Sequence, residues 1–182
     1  MVKKLDVLNA PIGSTVLKMA VPNMLTMLLW ILTFIIEGWF IGTLGIVPLA
    51  GLAFGFPMLF LLLMLSAGTV GGAITGTVAQ CLGAGNKRGA EDVAVSALQL
   101  TFLLGLLSAI VFLTLGEHIY SGLGAEGDVL DEALQYSNVL FAGCFTIWIA
   151  NGLAGVVRAT GHMYISALCL ATGSLVQVIL AA

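Results

Sequence analysis

The chain has 182 residues, of which 60% are hydrophobic and 8% are charged, and its formal net charge is −3. A soluble domain carries roughly 25% charged residues, so there are too few charges here to cover a water-exposed surface. The six Lys and Arg form no basic patch, which excludes a nucleic-acid partner, and the 23 glycines suit membrane helices better than soluble ones.

Residues 1–15 read as a cytoplasmic N-terminal segment. Lys3 and Lys4 give a basic start, but Asp6, Asn9 and Pro11 keep the next residues from forming an apolar run. The apolar run from Val16 is too long for the core of a secretory signal, and no small-residue cleavage site ends it. It is therefore read as a retained first span, 16–43. A bilayer core requires about 20 apolar residues per helix. On that criterion further spans lie at 47–82, 93–115, 133–157 and 163–182, giving an all-α, polytopic integral membrane bundle. Long runs without alternation do not fit barrel strands of roughly 9–11 residues.

The first span carries Glu37 in Phe34-Ile-Ile-Glu-Gly-Trp-Phe-Ile41, the only acidic residue inside a span. It lies about six residues, hence roughly 9 Å, from the turn near Thr43. Burial disfavours the charged form of a carboxyl, so a group there is suited to take up and release a proton. Ionisable residues at such depth mark function by default; the plainer alternative is a carboxyl in a wet outer vestibule with no role. Met24, Met27, Met58 and Met64 could furnish an adaptable apolar pocket or face lipid.

The second span is longer than one crossing requires: either Pro57 kinks it or its first turns lie at the interface. Gly68, Gly72 and Gly76 recur at four-residue spacing, which places them on one face for close helix packing, or for a hinge. The Gly83-Ala-Gly85 sequence after it is no dinucleotide fingerprint: it comes after a helix, and Arg88 stands where the third Gly belongs. Its glycines end a helix instead. Asn151 in the fourth span and Gln177 in the fifth are uncharged polar groups, suited to interhelical hydrogen bonds or to lining a polar cavity.

Charge placement sets the topology. The stretch from Glu117 to Glu132 holds Glu117, Glu126, Asp128, Asp131 and Glu132 with no Lys or Arg, whereas Lys3, Lys4, Lys18, Lys87, Arg88 and Arg158 all fall on the other side. The positive-inside rule puts the N-terminus in the cytoplasm and the acidic loop outside. None of the basic residues is expected at mid-membrane depth. Cys81, Cys144 and Cys169 are isolated and read as buried apolar thiols, while His118 and His162 sit in opposite loops, so neither set offers a metal site. No nucleophile and base can be paired, so no catalytic residue is expected and the chain reads as a non-enzyme without cofactor.

Several segments together resemble the multidrug and toxic compound extrusion (MATE) family of cation-coupled antiporters. Leu17-Lys-Met-Ala-Val-Pro22 is similar to the family's opening Leu-x-x-Ala-x-Pro, with Pro22 as a helix kink. Ile36-Glu-Gly-Trp-Phe-Ile-Gly-Thr-Leu-Gly45 is similar to Val-Asp-x-x-Phe-Val-Gly-x-Leu-Gly, with Glu37 in place of Asp. Leu82-Gly-Ala-Gly-Asn-Lys-Arg-Gly-Ala90 resembles the loop after the second helix, and Gly155-Val-Val-Arg-Ala-Thr-Gly161 the end of the fourth.

The resemblance implies a twelve-helix protein of two six-helix lobes around a central cavity. This chain would correspond to the first five helices, an incomplete N-terminal lobe in the plasma or inner membrane. It implies export of small organic, cationic compounds driven by H+ or Na+ influx, with Glu37 as the coupling site and Asn151 as the family's polar residue of the fourth helix, lining the cavity with Gln177. In the fifth helix, Gln177 takes the family's Asn position, but Ala181 replaces the Asp, which weakens a sodium site. It also implies that the missing C-terminal part is a partner and that the chain alone does not transport. A lipid-linked oligosaccharide flippase of the same superfamily, or a non-transporting membrane subunit, are the alternative readings.

Overall fold

The computed structural model describes residues 12–162 and, beyond them, Ile165, Ser166, Leu168, Cys169 and Thr172. Most of the expected fifth span, including Gln177 and Ala181, lies outside the described residues. The described chain is helical throughout. Helix α1 is Ile12–Leu44, α2 Ile46–Leu63, α3 Gly71–Gly83, α4 Lys87–Gly122, α5 Gly127–Ala142 and α6 Cys144–Ala159, with a π-helical segment, Met64–Val70, joining α2 to α3. Helix α1, the continuous α2–π–α3 rod and α4 are each long and apolar enough to cross a membrane; α5 and α6, bent by 48° at their junction, pass the same test as a pair.

The boundaries reflect local chemistry. Helix α1 runs unbroken through position 22; the Pro22 side chain lies outside the described part of the structure. Gly45, at φ 129°, allows the chain to turn directly into α2. Helix α3 ends in a Schellman motif: the Asn86 N–H donates to Cys81 O at 3.0 Å and the Gly85 N–H to Leu82 O at 3.1 Å. Asn86 then caps α4, its Oδ1 accepting from the Gly89 N–H at 2.9 Å. At the far end of α4 the same motif recurs around Gly124, with Ala125 N–H donating to Tyr120 O.

Several expectations are corrected by the structure. Helix α2 runs on through Pro57, and the second span changes from α to π further along, at Met64. The fourth span is not one straight helix over 133–157; it starts at Gly127 and breaks at Gly143. A glycine inside an apolar run removes both helix propensity and a packing side chain, and here the lost propensity is used as a bend. His118 lies within α4 rather than in a loop, although it remains at the opposite end of the bundle from His162. Of the three thiols, Cys144 is buried as expected, but Cys81 is half-buried and Cys169 is exposed.

Packing inverts the soluble pattern. Small polar residues are inside: Ser66, Thr101, Ser137 and Asn151 are buried, whereas Val139 is 78% exposed and apolar side chains such as Leu103, Leu107 and Ile110 point outward. This suits a bilayer solvent, in which packing of small residues and interhelical hydrogen bonds hold helices together. Three apolar clusters stack along the bundle. One surrounds Tyr120, Ala125 and Ala133 at the acidic-loop end; one surrounds Leu62, Ala109, Phe141, Cys144 and Trp148 in the middle; one surrounds Ile74, Val78, Ala90 and Ala97 at the basic end.

The glycines that bring helices together are not those expected. A β-carbon at Gly68, Gly72 or Gly76 would meet nothing within 4 Å, so that face packs on no described helix. The close contacts are made elsewhere. A β-carbon at Gly51 would sit 2.8 Å from Glu132 Cβ, at Gly55 2.8 Å from Tyr136 Cδ1, at Gly105 2.6 Å from Phe145 Cα, and at Gly155 2.9 Å from Gly71 O.

Candidate functional site

Glu37 lies seven residues before the end of α1, at the α1–α2 corner of the bundle. Helix α1 is fastened to α2 by an aromatic seam: Phe34 meets Trp30 edge-on at 4.8 Å and Phe56 edge-on at 4.6 Å, and Trp30 stacks on Phe60 at 6.3 Å. Glu37 is less than one turn beyond Phe34, so the seam fixes its position relative to α2. On the other side of α2, Gly51 and Gly55 admit α5 to backbone contact. The absence of a side chain at Gly55 leaves the room that the Tyr136 ring occupies.

These two interfaces converge on one cavity of about 300 Å³, lined by Glu37, Phe40, Ile41, Thr43, Leu44 and Tyr136. Glu37 and Tyr136 are both half-buried. The Thr43 hydroxyl donates to Phe40 O, so it is engaged with its own helix. The cavity therefore joins a carboxyl and a phenol in an otherwise apolar wall, an arrangement that can hold and pass a proton. Among the described residues no group of three His, Cys, Asp or Glu is placed to hold a metal ion.

Asn151 is elsewhere. It is buried in α6, and its Nδ2 donates to Ser66 Oγ in the π segment at 2.9 Å. It lines neither the Glu37 cavity nor a second groove of about 450 Å³ between α3 and α4, whose walls include Thr69, Thr77, Asp92 and Ser96. In the structure, Asn151 is thus an interhelical hydrogen-bonding residue. Arg158 also departs from expectation. Its guanidinium turns back into the bundle, 3.3 Å from where a Gly71 β-carbon would lie, and Gly71 is about 18 Å along the helix from Gly83. Sequence reasoning missed Tyr136 and Ser66. The available signal was the Gly51-x-x-x-Gly55 spacing, which suits a close helix contact but does not name its partner; the structure sets Tyr136 there.

The comparisons with known proteins agree with this architecture. The FAD transporter of Shewanella oneidensis is 29% identical over 175 residues, covering 95% of this chain and 38% of that protein. A probable multidrug resistance protein of Bacillus subtilis, YoeA, is 26% identical over 118 residues, 65% of this chain and 25% of the relative. The outward-facing conformation of a multidrug resistance MATE family transporter of the MOP superfamily superposes with a TM-score of 0.88 at 28% identity, covering 98% of this chain and 40% of that one. A MOP superfamily transporter from Pyrococcus furiosus, described as having a binding pocket of reversed polarity, gives a TM-score of 0.88 at 28% identity, covering 98% of this chain and 39% of that one. The chain thus spans less than half the length of the relatives it matches. The MatE family model matches residues 22–182, and with the helical membrane fold this places the chain, which is not an enzyme, in the MATE family of multi-pass membrane transporters.

Proposed function

We propose that this chain forms the ion-coupling part of an exporter of small organic compounds, with Glu37 taking up and releasing the coupling ion. The observation that carries this reading is the cavity shared by Glu37 and Tyr136 at the α1–α5 side of the bundle, open at its Leu44 end. A proton suits it better than sodium, because a hard cation prefers several oxygen ligands and the side chains of this lining offer a carboxyl, a phenol and the Thr43 hydroxyl. Exchange at Glu37 biases the bundle between two states, and transport comes from rocking of this bundle against a second one. A transporter of the relatives' length supplies that second bundle. The N-terminus lies in the cytoplasm and the acidic 117–132 stretch outside.

The test is efflux driven by an imposed pH gradient from vesicles holding the complete transporter that contains these residues. Glu37→Gln should lower gradient-driven efflux at least about tenfold, the scale on which loss of a proton-transfer group is felt, while Glu37→Asp retains part of it. Unchanged efflux in a well-folded Glu37→Gln protein would overturn the assignment.

The cargo has two readings. The family resemblance supports organic cations. The relative named as an FAD transporter supports an anionic dinucleotide, and the inward-turned Arg158 guanidinium gives that reading a cation inside the bundle. Competition for transport by FAD against a lipophilic cation separates them.

A further inference from the structure

Two spans of the bundle are interrupted at the same level. The second changes from α to π at Met64–Val70, and the fourth bends by 48° at Gly143. Leu62, at the edge of the π segment, packs in one cluster with Phe141, Cys144 and Trp148 on both sides of Gly143. Helix α4 passes this level without a break. Its Gly105 touches the backbone at Phe145, and Cys144 Sγ donates to Gly105 O at 3.2 Å.

The interruptions divide the bundle into two bodies. On the Glu37 side, α2 is locked to α5 through Gly51 and Gly55. On the Arg158 side, α3 is locked to α6, where Thr75 Oγ1 donates to Gly155 O at 3.0 Å and Gly155 lies against Gly71 O. The joint itself is crossed by the hydrogen bond from Asn151 Nδ2 to Ser66 Oγ, and Ser66 is 0% exposed. Π-helical turns are rare and recur at functional sites. Each holds more residues than an α turn, so a return of the segment to α-helix would rotate one side of it against the other.

We propose that Ser66 and Asn151 are positioning residues of a latch: their hydrogen bond keeps the π segment wide and sets the angle between the α2–α5 body and the α3–α6 body, with the α4 contact at Gly105 as the pivot. This does not depend on Glu37 carrying a proton.

Pulsed electron spin resonance on the full chain in lipid nanodiscs tests it, in a background with Cys81 and Cys169 replaced and the fully buried Cys144, part of the Gly105 contact, kept. One label pair, at Val47 and Leu82, spans the joint; a control pair, at Glu91 and Leu113, lies along α4. Ser66→Ala should broaden the Val47–Leu82 distribution about twofold or move its mean by about 2 Å or more, with the α4 pair unchanged. Ser66→Thr, which keeps the hydroxyl, should restore the original distribution. If Ser66→Ala does not fold, Asn151→Ala removes the donor and reads the same distances. A Val47–Leu82 distribution that superimposes on that of the unsubstituted chain overturns the latch. So does a change that affects the α4 pair equally, because the bond would then hold the bundle as a whole and not the joint.

Discussion

Gly105 and Gly76 are both glycines in long apolar helices, yet the structure gives them opposite weight. At Gly105 the obstacle to a β-carbon is the Phe145 backbone, 2.6 Å away, which no rotamer change can relieve. Gly105→Ala should therefore cost about 1–3 kcal/mol through overpacking, read as a lowered midpoint of thermal unfolding in detergent. At Gly76 nothing lies within 4 Å, so Gly76→Ala should cost nothing and stabilise by up to about 1 kcal/mol through helix propensity; an equal loss at both sites would contradict the described packing. The same contrast explains what the sequence could reveal about the site. Glu37 was legible because a carboxyl in an apolar run is costly and therefore conspicuous. Tyr136 was not, because a Tyr beside Ser137 and Asn138 looks like an ordinary helix position until Gly55 is known to face it. Four-residue glycine spacing occurs at both Gly51–Gly55 and Gly68–Gly76, and spacing alone does not say which face meets a partner.

Among the elements, the α3–α4 corner is the one most fully explained by its residues. The positive φ of 73° at Gly85 closes α3, and the Asn86 side chain opens α4. Asn86→Ala should lower stability by about 1 kcal/mol, as loss of an N-cap does, measurable as earlier hydrogen exchange in the first turn of α4. Helix identity was readable along most of the described chain because apolar runs of this length have few alternatives. The interruptions were not. Pro57 is a strong local signal, but α2 absorbs it; the π segment has no comparable residue and is instead held by Asn151 from another helix. Next to the bend at Gly143, α4 packs against Phe145 through Gly105, likewise a long-range contact.

For the whole molecule, charge is arranged by end. Lys87 and Arg88 lie at one end of α4, and Glu117, Glu126, Asp128 and Asp131 cluster at the other. Single cysteines placed at Asn86 and Gly127 in a background without the native cysteines should therefore label from opposite faces of intact cells, Asn86 from the cytoplasm and Gly127 from outside. Labelling of both from one side would contradict the orientation.

Helix α4 has a further consequence. Its charged residues, Lys87, Arg88, Glu91 and Asp92 at one end and Glu117 at the other, bracket an apolar stretch of about 36 Å, against a hydrocarbon core of about 30 Å. A mismatch of this size is one that helix tilt accommodates, and the tilt it calls for decreases as the surrounding lipid thickens. Because α4 is unbroken and bears on the bundle at Gly105, a change in its tilt should act on the proposed joint as a mechanical load. Lengthening the lipid acyl chains should then shift the Val47–Leu82 distance, which is the measurement that checks it.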